Sequence, residues 1–306
     1  MKTKIVCIAL VLSAVWGYPQ TIETTSTPAF ISIGKWKNAN ADVDKNIPES
    51  KVKNANIIAL IIGNEDYSSY QTGLSNEVNV DFAENDARVF RDYLIKTLGA
   101  DENKVDMKIN ATLTQMKQSI NKLVKLAEVA EGQAEIYFYY SGHGLPDETT
   151  KEGYLVPVDV SGMDITSGIK IDDLYNKLTE IPSVRVTVIL DACFSGGARN
   201  QGLVALKAVK VAAKGPRLSG NIVVLTSSSG QESSAVYRDK GHGYFTYFLL
   251  KSLQDSKGKI TYKELFDYVK KKVAEETVIR ENKTQTPQAF SSTSIGDRWY
   301  KWKFVE

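Results

Sequence analysis

The chain has 306 residues, enough for one large domain or two small ones. Its 42% hydrophobic and 24% charged content is ordinary for a globular protein with a full core. A formal net charge of +2, with no motif of interleaved basic and aromatic residues, leaves no footprint for nucleic acid, and none is expected as a partner.

Residues 1–17 begin basic at Lys2 and Lys4, run apolar from Ile5 to Val15 and end on Gly17. This is the plan of an export signal, too short for a membrane span; a buried N-terminal strand is the alternative. A periplasmic or extracellular setting is therefore expected. Residues 18–53 are polar, rich in Thr and Ser over 21–27, with Trp36 as one large anchor. They read as a poorly ordered pro-segment or linker. The main domain is expected over 54–295, and 296–306 as a C-terminal tail.

Within the domain, 56–63 is a buried apolar strand, and a polar loop follows over 64–79. A helix is signalled by Glu84 or Asn85 near its cap, by Ala87, Phe90, Leu94 and Leu98 on one face, and by Gly99 as a stop. A short strand over 105–109 precedes a second helix, capped by Thr112 or Thr114 and carrying Met116, Ile120, Leu123 and Ala127 on one face. Residues 135–140 form a strand, and 153–159 an extended piece that Pro157 confines to an edge or hairpin. A helix over 171–178 leads to a strand over 186–190, and another strand covers 221–225. Helices follow from Gly243 and from Thr261, the latter with Glu264 three residues on as a capping box; 287–290 reads as a last strand. The alternation of strands and helices predicts an α/β fold, a mostly parallel sheet with helices on both faces.

Two strands end in chemistry. The 135–140 strand runs into Ser141-Gly-His-Gly144, and the 186–190 strand into Asp191-Ala-Cys-Phe-Ser195. Carboxyl ends of strands are where open α/β sheets place their sites. Once residues 1–17 are removed, Cys193 is the one remaining cysteine; a small buried hydrophobe is the bland alternative to a reactive thiol. A thiol and an imidazole supply a nucleophile and its proton partner. The glycines beside His143 let backbone approach a substrate, and the amides of Gly144 and Cys193 are candidate oxyanion donors. No third residue orienting His143 is evident, so a dyad is expected. His242, between Gly241 and Gly243, reads as a surface or capping residue. Two histidines and one cysteine are too few soft ligands for zinc.

Tyr140-Ser-Gly-His-Gly144 and Asp191-Ala-Cys-Phe-Ser-Gly196 resemble the paired active-site motifs of the caspase-like cysteine peptidases, and their spacing of about 50 residues is the one known for that family. Gly63, Asn64, Tyr67, the 83–87 segment and Gly243-Tyr-Phe-Thr246 agree with it. The resemblance covers about 55–290 and implies a six-stranded three-layer sandwich and a cysteine endopeptidase. Caspases carry Gln two residues before the nucleophile; Asp191 stands there instead and, with Asp86, resembles the metacaspase branch. That likeness implies a pocket (S1) in which Asp86 and Asp191 favour Arg or Lys at the cleaved position. A helix-start carboxylate is the alternative for Asp86.

The resemblance further suggests a calcium site at Asp159, Asp172 and Asp173, weakened by Asn200 where a fourth acid is usual; solvated helix-cap aspartates are the equal alternative. No cofactor is required for the chemistry. Residues 198–220 form a basic loop with Arg199, Lys207, Lys210, Lys214 and Arg217, a candidate for self-cleavage or a merely solvated segment. Protein substrates, no stable membrane span and a monomer complete the expectations, with a catalytically silent interaction domain as the alternative function.

Overall fold

A computed structural model of the chain describes residues 41–71, 78–194 and 213–305. The strands are β1 (Ile57–Gly63), β2 (Val105–Ile109), β3 (Glu135–Ser141), β4 (Gly144–Pro146), β5 (Gly153–Leu155), β6 (Ile169–Lys170), β7 (Arg185–Asp191), β8 (Ile222–Thr226), β9 (Val236–Tyr237), β10 (His242–Gly243) and β11 (Gln288–Ser291). The helices are α1 (Ala83–Lys96), α2 (Leu113–Val129), α3 (Ile171–Thr179), α4 (Tyr244–Ser256) and α5 (Tyr262–Glu281).

Six strands form the main sheet in the order β11-β8-β7-β3-β1-β2, all parallel except β11, which runs antiparallel along β8. The apolar runs of β1, β3 and β7 are needed because both sheet faces are covered. Alternate residues feed opposite cores. Ile57, Ala59, Ile61, Tyr137, Tyr139 and Ile189 pack with α1, α4 and α5. Ile58, Leu60, Ile62, Ile136, Phe138 and Val188 pack with α2 and α3. The expected mostly parallel α/β sandwich is what the chain forms. Residues 153–155 sit in a small antiparallel sheet, β4-β5-β6, consistent with the hairpin that Pro157 suggests. Among the described residues no helix is long and apolar enough to cross a membrane.

Both segments that flank the expected domain pack against it. The part of the expected linker that is described, 41–53, is docked on the domain. Val43 is fully buried, its carbonyl accepts from the Tyr93 hydroxyl at 3.0 Å, and the Gln254 amide holds the carbonyls of Asp42 and Lys45, each at 2.9 Å. The described part of the C-terminal tail, 296–305, is docked in the same way. Trp299, Phe304 and Val305 are buried, and the Phe304 ring stacks on Tyr262 at 4.1 Å between centroids.

Candidate active site

In the β3–β7 pairing Ser141 lies opposite Asp191, the last residues of their strands, and the Gly142 amide continues the ladder to the Asp191 carbonyl at 3.3 Å. His143 and Cys193 each lie two residues beyond that paired position. The register therefore places the loops that carry them at the same end of the sheet, just past neighbouring parallel strands, whose usual spacing is about 4.8 Å. Both are nearly enclosed, each 4% exposed.

Four contacts, with two tyrosines and one main-chain carbonyl, fix the His143 loop. The His143 amide donates to the Tyr67 hydroxyl at 3.0 Å, and its carbonyl accepts from the Tyr140 hydroxyl at 2.8 Å. The Tyr67 ring leans on the imidazole with centroids 4.5 Å apart. Nε2 meets the carbonyl of Val78 at 2.5 Å, so that nitrogen must carry a proton and donate. A Cβ on Gly142 would lie 2.7 Å from the Tyr140 hydroxyl, so only glycine lets the two tyrosines close over the turn. A Cβ on Gly144 would fall 2.4 Å from the Phe194 ring: the group that passes close to Gly144 is this side chain.

The Cys193 loop is held from below. The Ser234 amide donates to Sγ at 2.8 Å, which favours the thiolate. Ser234 and Ser227 share a hydroxyl hydrogen bond, Ser227 donates to the Ala192 carbonyl at 3.2 Å, and Gln285 accepts from the Ala235 amide at 2.7 Å.

The two aspartates are both fully buried. Asp191 Oδ2 accepts from the Thr246 hydroxyl at 2.7 Å and from its amide at 3.3 Å. Asp86, in the first turn of α1, accepts from the Ser141 hydroxyl at 3.0 Å, from the Gly243 amide at 3.2 Å and from His242 Nδ1 at 2.8 Å. His242 is therefore not a surface residue. It is fully buried, and its Nε2 reaches Asp44 Oδ1 at 2.8 Å. Burial alone would lower its pKa, but hydrogen bonds to Asp44 and Asp86 outweigh that and push it up to about 9.

The suggested calcium ligands are not gathered. Asp159 accepts from the Leu113 amide at the start of α2 at 2.7 Å, while Asp172 and Asp173 lie in the first turn of α3. Among the described residues no group of three or more His, Cys, Asp or Glu is arranged to hold a metal ion. Asn200 and the basic residues Arg199, Lys207 and Lys210 fall outside the described residues. The described part of the basic loop, 213–220, is largely exposed, and Ala213 donates to the Phe194 carbonyl at 3.3 Å.

Sequence reasoning missed Val78, Ser234 and the Asp44–His242 contact. The first two act through main-chain atoms, which any residue supplies. The third joins residues 198 positions apart.

A family model described as Caspase domain matches residues 56–297. Among solved structures, the crystal structure of protein GSU0716 from Geobacter sulfurreducens superposes with a TM-score of 0.58 at 19% identity, covering 81% of this chain and 98% of that one. That likeness is one of fold. A search of curated proteins returns no match.

Proposed function

Because this chain belongs to the caspase-domain family, we propose that it is a cysteine endopeptidase of the metacaspase-like kind, cutting after Arg or Lys. The observation that supports this reading is the β3–β7 register, which ends both strands at one edge of the sheet, each two residues short of His143 and Cys193, with buried Asp191 and the Ser141-bonded, buried Asp86 at the same strand ends.

The Cys193 thiolate attacks the scissile carbonyl carbon. The oxygen that gains charge is held by the amides of Gly144 and Cys193. With Nε2 committed to Val78, Nδ1 of the imidazole exchanges the proton: it takes it from the thiol and gives it to the leaving amine. The acyl-enzyme then loses its acyl group to a water that His143 deprotonates. Asp86 and Asp191 favour the guanidinium or ammonium of the residue before the cut. No step runs through calcium. The exposed 213–220 stretch, with Lys214 and Arg217, extends the proposal to self-cleavage, and N-terminal sequencing of active material reads it out.

The test compares wild type with Cys193→Ala on fluorogenic peptides ending in Arg, Lys or Asp, with and without calcium. Wild type is expected to cut the first two, and Cys193→Ala to lose about a thousandfold or more. Folded wild type that cuts none of them overturns the proposal in favour of a silent caspase-fold module.

A further inference from the structure

The chemistry proposed above leaves His242 and Asp44 without a role. Both ring nitrogens of His242 are committed, Nδ1 to Asp86 and Nε2 to Asp44, each at 2.8 Å. Asp86 in turn accepts from Ser141, the residue two before His143. Asp44 belongs to the docked N-terminal segment, whose Asp42 is gripped by Lys240 at 3.1 Å and by the Tyr247 hydroxyl at 2.9 Å. An unbroken chain of hydrogen bonds thus runs from that segment to the end of β3: Asp44, His242, Asp86, Ser141.

We propose that His242 is a positioning and specificity-determining residue, which ties the pocket for the basic side chain to the N-terminal segment through Asp86 and Asp44. The proposal rests on the reading of Asp86 and Asp191 as that pocket. The two aspartates then divide the work. Asp86 already faces a buried ring that is cationic at neutral pH, so a substrate cation meets a compensated carboxylate there and a repulsive neighbour behind it. Asp191 accepts from the hydroxyl and the amide of Thr246, and the proposal assigns to it the reading of the incoming cation. Among the described residues, Asn85 of α1 also faces His242, its amide nitrogen 3.2 Å from Nε2, as does Tyr247 of α4 with centroids 6.4 Å apart, and Tyr237 of β9 is its register partner. None of these replaces the charge of Asp44 or Asp86.

The experiment uses the full chain as wild type, His242→Gln and Asp44→Asn. Kinetics are measured on a peptide ending in Arg and on its neutral isostere ending in citrulline. His242→Gln should raise the preference for Arg about tenfold, through KM and not kcat, since the internal cation no longer competes for Asp86. Asp44→Asn, with one end of the ring released, should move it the same way by a few-fold, and it decides the matter if His242→Gln fails to fold. In a Cys193→Ala background the same changes should tighten binding of Nα-acetylarginine amide, followed by NMR. A preference and a Kd unchanged within twofold in the folded variants overturn the coupling and leave the peptidase reading standing. Binding that shifts while wild type cleaves nothing keeps the coupling and removes the peptidase. Neither cleavage nor binding overturns both.

Discussion

Asp86 and Asp191 are fully buried and end on named internal donors, whereas Asp159 and Asp173 are exposed and Asp172 is half-buried. All five carry the same carboxylate, and all five were singled out by the same resemblance. What separates them is the cost of their surroundings. A carboxylate without water must be met by donors or a cation at fixed positions, so its geometry is specified by the fold and its loss is felt. A carboxylate at the solvated start of a helix is worth tenths of a kcal/mol and specifies little beyond where the helix begins. The buried pair is consequently where selectivity is expected, and the trio at the helix starts is where it is not.

The largest effect that tests this contrast is one of pH. The His242 imidazole, between Asp86 and Asp44, has its pKa raised to about 9 from an ordinary 6.5. The folded state therefore holds the proton more tightly than the unfolded chain. Its stabilising contribution is fully present below pH 6.5, declines above it and is gone once the pH has risen through about 9. The amount lost is on the order of 3 kcal/mol. Urea unfolding at pH 6 and pH 10 should show wild type losing that much relative to His242→Gln. Parallel losses in the two proteins would mean that the ring does not hold its proton through folding. Next in size is Asp191→Asn. The amide still accepts from Thr246, so folding is retained, but the charge that meets a basic side chain is gone. Activity on Arg peptides should fall roughly ten- to a hundredfold, the worth of one charge-assisted contact, with little change on citrulline peptides. Equal losses on both would show a structural role only.

How far these features could be read in advance follows from how local their causes are. β1, β3 and β7 are legible because each is a run of apolar residues that only a doubly covered sheet accepts. The starts of α2 and α5 are legible because Thr112 with Gln115, and Thr261 with Glu264, close their capping boxes within four residues. The start of α1 is not, because Phe82 enters it from a left-handed conformation with φ of 67° and no side-chain cap. His143 and Cys193 announce themselves by residue type at strand ends. The Val78 carbonyl and the Ser234 amide that orient them have no residue signature at all. The same holds for the docked 41–53 segment, which looks like linker because only a few scattered apolar residues, Ala41, Val43 and Ile47, anchor it and hydrogen bonds to α1 and α4 do the rest.

The smallest effect tests the other half of the contrast. Asp172 and Asp173 sit in the first turn of α3, where the helix N-terminus favours a negative charge whether or not a metal is present. Asp159 is spent on the Leu113 amide at the start of a different helix. The double change Asp172→Asn and Asp173→Asn should therefore lower stability by about 0.5–1 kcal/mol, the worth of two exposed charges on a helix dipole. Calcium should change the melting temperature of wild type and of the double variant by the same amount. A calcium-induced rise in wild type that disappears in the double variant would mean that the helix-start trio is a ligand set, and the division between the buried pair and the trio would have to be redrawn.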